Sequence, residues 1–277
     1  MINKIKNLIV EKNLDGYIVP KNDKFFTEYS EINNLELVCN FNGSAGFAII
    51  LKKKNYLFVD GRYTIQAKKQ SGNKFKIFEI PLIWPKNIFG SYKYKFDIGF
   101  DPKLFTYHTL NNYFSNTCNL HPVNEDLFKQ KSKQKFKKNK FYKLDKKVTG
   151  ESSKSKINRV TKILNKKKID YLFVSAGENV CWLMNIRGKD LPNSPVANCN
   201  IILTKDKKIY FFSKFKKISK IKVKFNNKKI FFYEEQKLFE ILRFIKPGKF
   251  CIDKKTCSIF NEEIIKSNFI IKENVDP

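Results

Sequence analysis

A long-period echo constrains this chain more than any other feature of its sequence. LDGYIVP at residues 14–20 is answered by IDYLFVS at 169–175, which sets Asp15 and Asp170 155 residues apart. The hairpin pattern at 47–59 returns at 200–212 in the run IILTKDKKIYFF, with Tyr56 and Tyr210 154 apart. GFDPKLF at 99–105 returns as CIDKKTC at 251–257, with Asp101 and Asp253 152 apart, and VNED at 123–126 resembles ENVD at 273–276. A repeat this long, in one element order, reads as two copies of one α/β unit and not as a solenoid of short repeats. Each copy runs helix, strand, helix, hairpin, helix, strand, helix, strand. That order predicts a mixed β-sheet flanked by helices. The copies are assigned to residues 1–126 and 151–277, with 127–150 as a lysine-rich linker.

Within the first copy, Ile2, Ile5, Leu8 and Ile9 mark one face of an N-terminal helix over 1–13. Residues 14–20 read as a strand, 22–38 as helical, and 75–80, 96–100 and 118–123 as strands. Residues 64–70 and 103–114 read as helices, and 81–94, with Trp84 and Pro85, as a loop. In the second copy a helix starts near Glu151, capped by Ser152 or Ser153, with Ile157, Val160, Ile163 and Leu164 on its apolar face. Residues 179–184 read as another helix. The Arg187 turn that follows leads to Leu191-Pro192-Asn193-Ser194-Pro195, in the topological place of residues 42–46.

A hydrophobic content of 42% and an aromatic content of 15% are enough to fill two cores. The formal net charge of +29 suggests an acidic partner or nucleic acid. The kind of base argues otherwise. Of 55 basic residues only Arg62, Arg159, Arg187 and Arg243 are arginine, the residue that reads bases and phosphates with a bidentate fork. The lysines are spread along the chain, and the run from Lys129 to Lys147 reads as a solvated connector. Nucleic acid is therefore disfavoured as a partner.

The six cysteines form no C-x-x-C pair, and Cys251 and Cys257 lack further ligands for zinc. Most lie in apolar segments and read as free, buried thiols. The start lacks the apolar core of a signal peptide, and no run approaches the ~18 apolar residues of a membrane span. A cytoplasmic location is expected, with no membrane contact.

The stretch from Phe41 to Gln70 carries the most specific site signal. Gly43 and Gly46 permit unusual backbone conformations in a small-residue turn. A hairpin follows, and Asp60-Gly61-Arg62-Tyr63 breaks its return strand. An arginine placed directly after a buried strand, beside glycine, offers a charge at the end of a sheet. On the residues alone, Arg62 either contacts a ligand or pairs with Asp60. No catalytic residue and no metal ligand is assigned. His108 and His121 are the only histidines, and neither has an acidic neighbour at helical ligand spacing. Glu262 and Glu263 are adjacent and so point in different directions. There is no G-x-S-x-G elbow and no phosphate-binding G-x-x-x-x-G-K-[ST] loop.

LDGYIVPKND, FNGSAGFAII, VDGRYTIQA, GFDP, GENVCWLMNIRG and LPNSPV, in this order and spacing, resemble the cytosolic three-domain aminopeptidases P (Xaa-Pro aminopeptidases) over essentially all 277 residues. The resemblance implies two tandem creatinase N-terminal-like domains. It also implies that the family's pita-bread metallopeptidase domain is absent, since Pro277 falls where that domain would start. That domain binds two metal ions, usually manganese, so no cofactor is expected in this chain. The chain alone is expected to be inactive. In a complete enzyme, which removes the residue before a penultimate proline, it would shape the substrate cleft and the homodimer. The chain would then be a fragment, a frameshifted gene product, or one half of a split enzyme whose catalytic half is a separate polypeptide. The resemblance assigns Arg62 to contact with the peptide substrate and Arg187 to a structural or interdomain role. The alternative is a standalone lysine-rich binding module for an acidic partner, nucleic acid included.

Overall fold

The computed structural model describes residues 1–27, 33–125, 127–128, 141–191, 193–214 and 229–276. The chain divides into two compact units, Met1–Lys133 and Gln134–Pro277. The lysine run from 129 to 140, Pro192 and Pro277 lie outside the described residues.

Unit one is built on β1 (Gly16–Pro20), β2 (Gly46–Leu51), β3 (Asn55–Asp60), β4 (Lys76–Ile80), β5 (Phe96–Phe100) and β6 (Cys118–Pro122). Their order is β4-β3-β2-β1-β5-β6. β2 runs antiparallel to β1 and β3, and every other pair is parallel. The hairpin forms because an apolar run, a polar turn and a second apolar run follow one another, and the turn closes by Leu51 N–H donating to Lys54 O at 2.8 Å. Side chains alternate across a strand, so each strand feeds both faces. Val19, Ala48, Ile50, Leu57 and Val59 meet Ile5, Leu8, Ile9, Leu35, Val38 and Ala67 of the helices on one face. On the other face Phe47 stacks on Phe58 and on Tyr113, Phe58 stacks on Phe78, and Trp84 stacks on Tyr113.

Unit two repeats this plan. It contains β7 (Tyr142–Lys143), β8 (Tyr171–Val174), β9 (Ile186–Arg187), β10 (Asn200–Thr204), β11 (Ile209–Ser213), β12 (Ile230–Glu234), β13 (Lys249–Ile252) and β14 (Ile270–Glu273). Its main sheet has the order β12-β11-β10-β8-β13-β14, the unit-one order strand for strand. Leu172, Val174, Ile201, Leu203 and Phe211 face the helices Ser153–Lys166 and Gly177–Met184. Phe173, Ile202, Phe212 and Phe250 face Leu242 and Ile265 of the helices on the other side.

The repeated aspartates perform the same task twice. Asp15 N–H donates to Asp97 O while its Oδ2 accepts from Asp97 N–H at 3.0 Å, tying β1 to β5. Asp170 N–H donates to Lys249 O while its Oδ2 accepts from Lys249 N–H at 2.9 Å, tying β8 to β13. A hairpin lysine completes each bracket: Lys52 on Asp15 at 3.4 Å and Lys205 on Asp170 at 2.7 Å. Asp101 and Asp253 each accept from the backbone N–H two residues on.

Several expectations need correction. Residues 81–94 contain the helix Pro85–Phe89. Proline at the first helical position is pre-set for it, Asn87 Oδ1 accepts from Trp84 N–H at 2.9 Å, and Phe89 anchors it at 1% exposure. Of 22–38, only Asn34–Cys39 is a described helix, and Asp23 instead folds a turn by accepting from Phe25 and Thr27. The 103–114 helix starts at Tyr107, because Thr106 caps it. Ile163 is 44% exposed, while Lys156 and Thr161 are buried on that helix. The linker reading of 141–150 also changes: Tyr142–Lys143 pairs with Ile186–Arg187, and Phe141 is buried against Phe211. Among the described residues no helix is long and apolar enough to cross a membrane.

Candidate functional site

The DGRY turn stands at the C-terminal end of β3, where Asp60 pairs in register with Ile80 of the parallel β4. Asp60 caps the short 3-10 helix Gly61–Tyr63. Its Oδ1 accepts from the Arg62 backbone N–H at 3.0 Å and from Arg62 Nε–H at 2.8 Å. The guanidinium therefore turns its Nε edge inward onto Asp60 and lies 5.4 Å from the Tyr63 ring centre. Its side chain is 72% exposed. The side-chain hydrogen bond from Arg62, and then the backbone one, hold the Asp60 carboxyl below the usual carboxylate range.

This turn is braced from behind. Tyr63 Oη shares a 2.9 Å hydrogen bond with Ser44 Oγ, and the Tyr63 ring meets Phe41 edge-on. Asn42 Oδ1 accepts from Gln66 and Gln70 of the helix Thr64–Ser71, and Asn42 N–H donates to Gln70 Oε1. The glycines are steric requirements of this brace. A Cβ at Gly43 would lie 2.2 Å from the Phe41 ring, and Gly46 has φ +145° with Phe58 O 2.7 Å from the Cβ position. The loop 41–46 and helix 64–71 thus hold Arg62 on a fixed base.

Of the two readings open in the sequence, the structure shows the pairing of Arg62 with Asp60, and the side chain remains largely exposed. Arg187 behaves differently. Its Nη1 donates to Cys181 O and Ile186 O, so it is bound into its own turn. Beside it lies a residue the sequence reading missed. Lys156, 3% exposed, donates to Trp182 O at 2.9 Å and Asn185 Oδ1 at 2.8 Å and sits 4.4 Å from the Trp182 ring centre. Burial lowers its pKa. Nothing in a lysine-rich sequence marks one lysine as buried.

The described residues do not fit a manganese centre. Among them no three His, Cys, Asp or Glu side chains converge for a metal. His108 bonds to Asn112, and His121 to Asp97 at 2.7 Å. Glu262 is buried near Lys254, 3.9 Å away, and burial raises its pKa.

Comparison with known proteins gives this geometry a context. The creatinase/prolidase N-terminal domain family matches twice, over residues 1–129 and 132–277. A probable Xaa-Pro aminopeptidase P of Coprinopsis cinerea is 29% identical over 76% of this chain and 36% of its own length. The Xaa-Pro aminopeptidase 1 of Dictyostelium discoideum is 25% identical over 80% of this chain and 38% of its own length. The chain thus spans little more than a third of these relatives. The crystal structure of an X-prolyl aminopeptidase from Caenorhabditis elegans, described as a cytosolic enzyme with a di-nuclear active site, superposes with a TM-score of 0.84. It covers 99% of this chain and 49% of its own at 20% identity, a likeness of fold. The chain belongs to the creatinase/prolidase N-terminal domain family, whose domain it carries twice, and is homologous to the N-terminal region of Xaa-Pro aminopeptidases.

Proposed function

We propose that this chain is the non-catalytic N-terminal portion of a Xaa-Pro aminopeptidase. It shapes the cleft and the dimer of an enzyme that removes the residue before a penultimate proline. The observation that carries the reading is the braced, exposed Arg62 of the DGRY turn, in a chain homologous to those enzymes. An exposed guanidinium can donate to a peptide carbonyl or carboxylate, and charge-assisted hydrogen bonds of this kind are the strong ones. Binding and orienting the peptide are the tasks this chain's own residues can perform; hydrolysis belongs to groups supplied by the remainder of such an enzyme. Exposed Phe239, Phe244 and Ile270 on unit two are consistent with a surface meant for further polypeptide. The buried cysteines, which are not in disulfides, are consistent with a reducing compartment, the cytoplasm.

The test is hydrolysis of an Ala-Pro tripeptide by the chain combined with a polypeptide supplying the C-terminal remainder of such an enzyme. Arg62→Ala is expected to lower kcat/KM by roughly 10- to 100-fold, the worth of one charged hydrogen bond. Unchanged kcat/KM in that variant would remove Arg62 from the substrate site.

A further inference from the structure

Unit two holds a cavity of about 460 Å³, inside the roughly 300–1,000 Å³ range of small-molecule sites. Lys143, Lys146, Lys154 and Ser153 line it. Among the described residues, neither Lys146 nor Lys154 is in an ion pair, and the Ser153 hydroxyl makes no hydrogen bond. Asp145 is the carboxylate of the lining, and its Oδ1 accepts from Lys147 N–H at 2.8 Å.

The walls are fixed by Asn185, a lining residue that is itself 3% exposed. Its carbonyl accepts from Leu144 N–H at 2.8 Å. Its Nδ2 donates to Thr149 Oγ1 at 3.0 Å and to Glu151 O at 2.8 Å. One residue thus ties down β7, the short helix Lys146–Thr149 and the approach to the helix Ser153–Lys166. Behind it lies a buried cation. The Lys156 ammonium, 3% exposed, donates to Asn185 Oδ1 and Trp182 O, both neutral oxygens. Burial weighs against its charge, Glu151 supports it, and Arg187 and Arg159 oppose it. Glu151 is already hydrogen-bonded to Arg159 and Ser155. Arg187 Nη1 donates to two backbone carbonyls. A buried cation without a carboxylate in contact is costly, and an anion on the far side of Asn185 offsets that cost.

We propose that this cavity is a phosphate site, in which Lys143, Lys146, Lys154 and the Ser153 hydroxyl hold the phosphate oxygens and Lys156 adds its charge through Asn185. Lysine binds phosphate as a compact point charge. A phosphate monoester, with about −1.5 to −2 charge and three acceptor oxygens, occupies these donors more fully than a carboxylate does. The cavity is larger than one phosphate, which favours a phosphorylated small molecule over the free ion.

The test is isothermal titration calorimetry of the full chain at low salt with inorganic phosphate, with adenosine 5′-monophosphate, and with adenosine as the uncharged control. The expected result is one site per chain for the monophosphate, weaker binding of inorganic phosphate and none of adenosine. Equal or tighter binding of inorganic phosphate would assign the same site to the free ion. Lys143→Gln with Lys154→Gln should weaken the Kd by about tenfold or more, the worth of one or two charged hydrogen bonds. Lys53→Gln with Lys54→Gln, which removes the same charge from an exposed hairpin turn of unit one, should leave it unchanged. No binding of either phosphate ligand at millimolar concentration, binding of adenosine as tight as that of its monophosphate, or equal weakening by the two lysine pairs would overturn the proposal.

Discussion

Arg62 and Asp60 are one unit at the scale of single residues. A carboxyl whose pKa is lowered on folding stabilises the fold above the ordinary carboxylate range. That contribution is lost as pH falls through the lowered value. Arg62→Ala should therefore raise the Asp60 titration toward the ordinary range, with the backbone hydrogen bond still lowering it, as read by carboxyl-carbon NMR; an unmoved titration would show that the pair does not hold in solution. Asp276 has the opposite sign. Burial pushes its carboxyl up to about 6, with Asp253 and Glu178 adding to the effect and the hydrogen bond from Asn179 opposing it. Its Oδ1 is buried without a hydrogen-bond partner. The stability this group contributes is full below its unfolded value near pH ~4 and is lost as pH rises through the folded value. Asp276→Asn should stabilise unit two at neutral pH by about 1–2 kcal/mol and leave it unchanged well below pH ~4, as read by urea midpoints. The Asp60–Arg62 pairing was one of two readings open in the sequence, because the two residues flank a glycine turn. The burial of Lys156 was not, since a lysine's environment is set by what packs over it in three dimensions.

Elements were legible where local chemistry and tertiary packing agree. The hairpins, the N-terminal helix and a cap at Ser152 or Ser153 follow from period, turn residues and a capping hydroxyl, and of the two serines it is Ser152 whose Oγ accepts from Ser155 N–H. The helix Pro85–Phe89 was not legible, because five residues give too little periodicity and its anchor is one buried phenylalanine. Tyr142–Lys143 hid inside a lysine-rich stretch, since a strand of two residues is defined by its partner. Ser152→Ala should cost about 1 kcal/mol of unit-two stability through loss of the cap. Asn42→Ala, which removes the acceptor shared by Gln66 and Gln70, should cost about 1 kcal/mol in unit one. It should also weaken catalysis in the completed enzyme, because the base under Arg62 loosens. A urea midpoint unchanged in Asn42→Ala would show that the brace does not carry load.

The whole molecule is one design used twice and specialised once. Both units keep the sheet order and the Asp-to-backbone bracket. Unit one carries an exposed arginine, Arg62, in the turn after its hairpin, whereas Arg187 of unit two is folded into its own helix and turn. On the proposed function, that asymmetry would separate a substrate-facing unit from a supporting one. The resemblance already set the two arginines apart, and the structure shows how differently each is bonded. The central claim is that this chain orients a peptide whose cleavage is performed by another part of the enzyme. The most direct measurement is manganese-supplemented release of alanine from an Ala-Pro tripeptide, first by the pure chain and then with the C-terminal remainder of a Xaa-Pro aminopeptidase added. The account predicts no release by the chain alone and Arg62-dependent release by the mixture. Release by the chain alone, or a mixture as inactive as the chain, would contradict it.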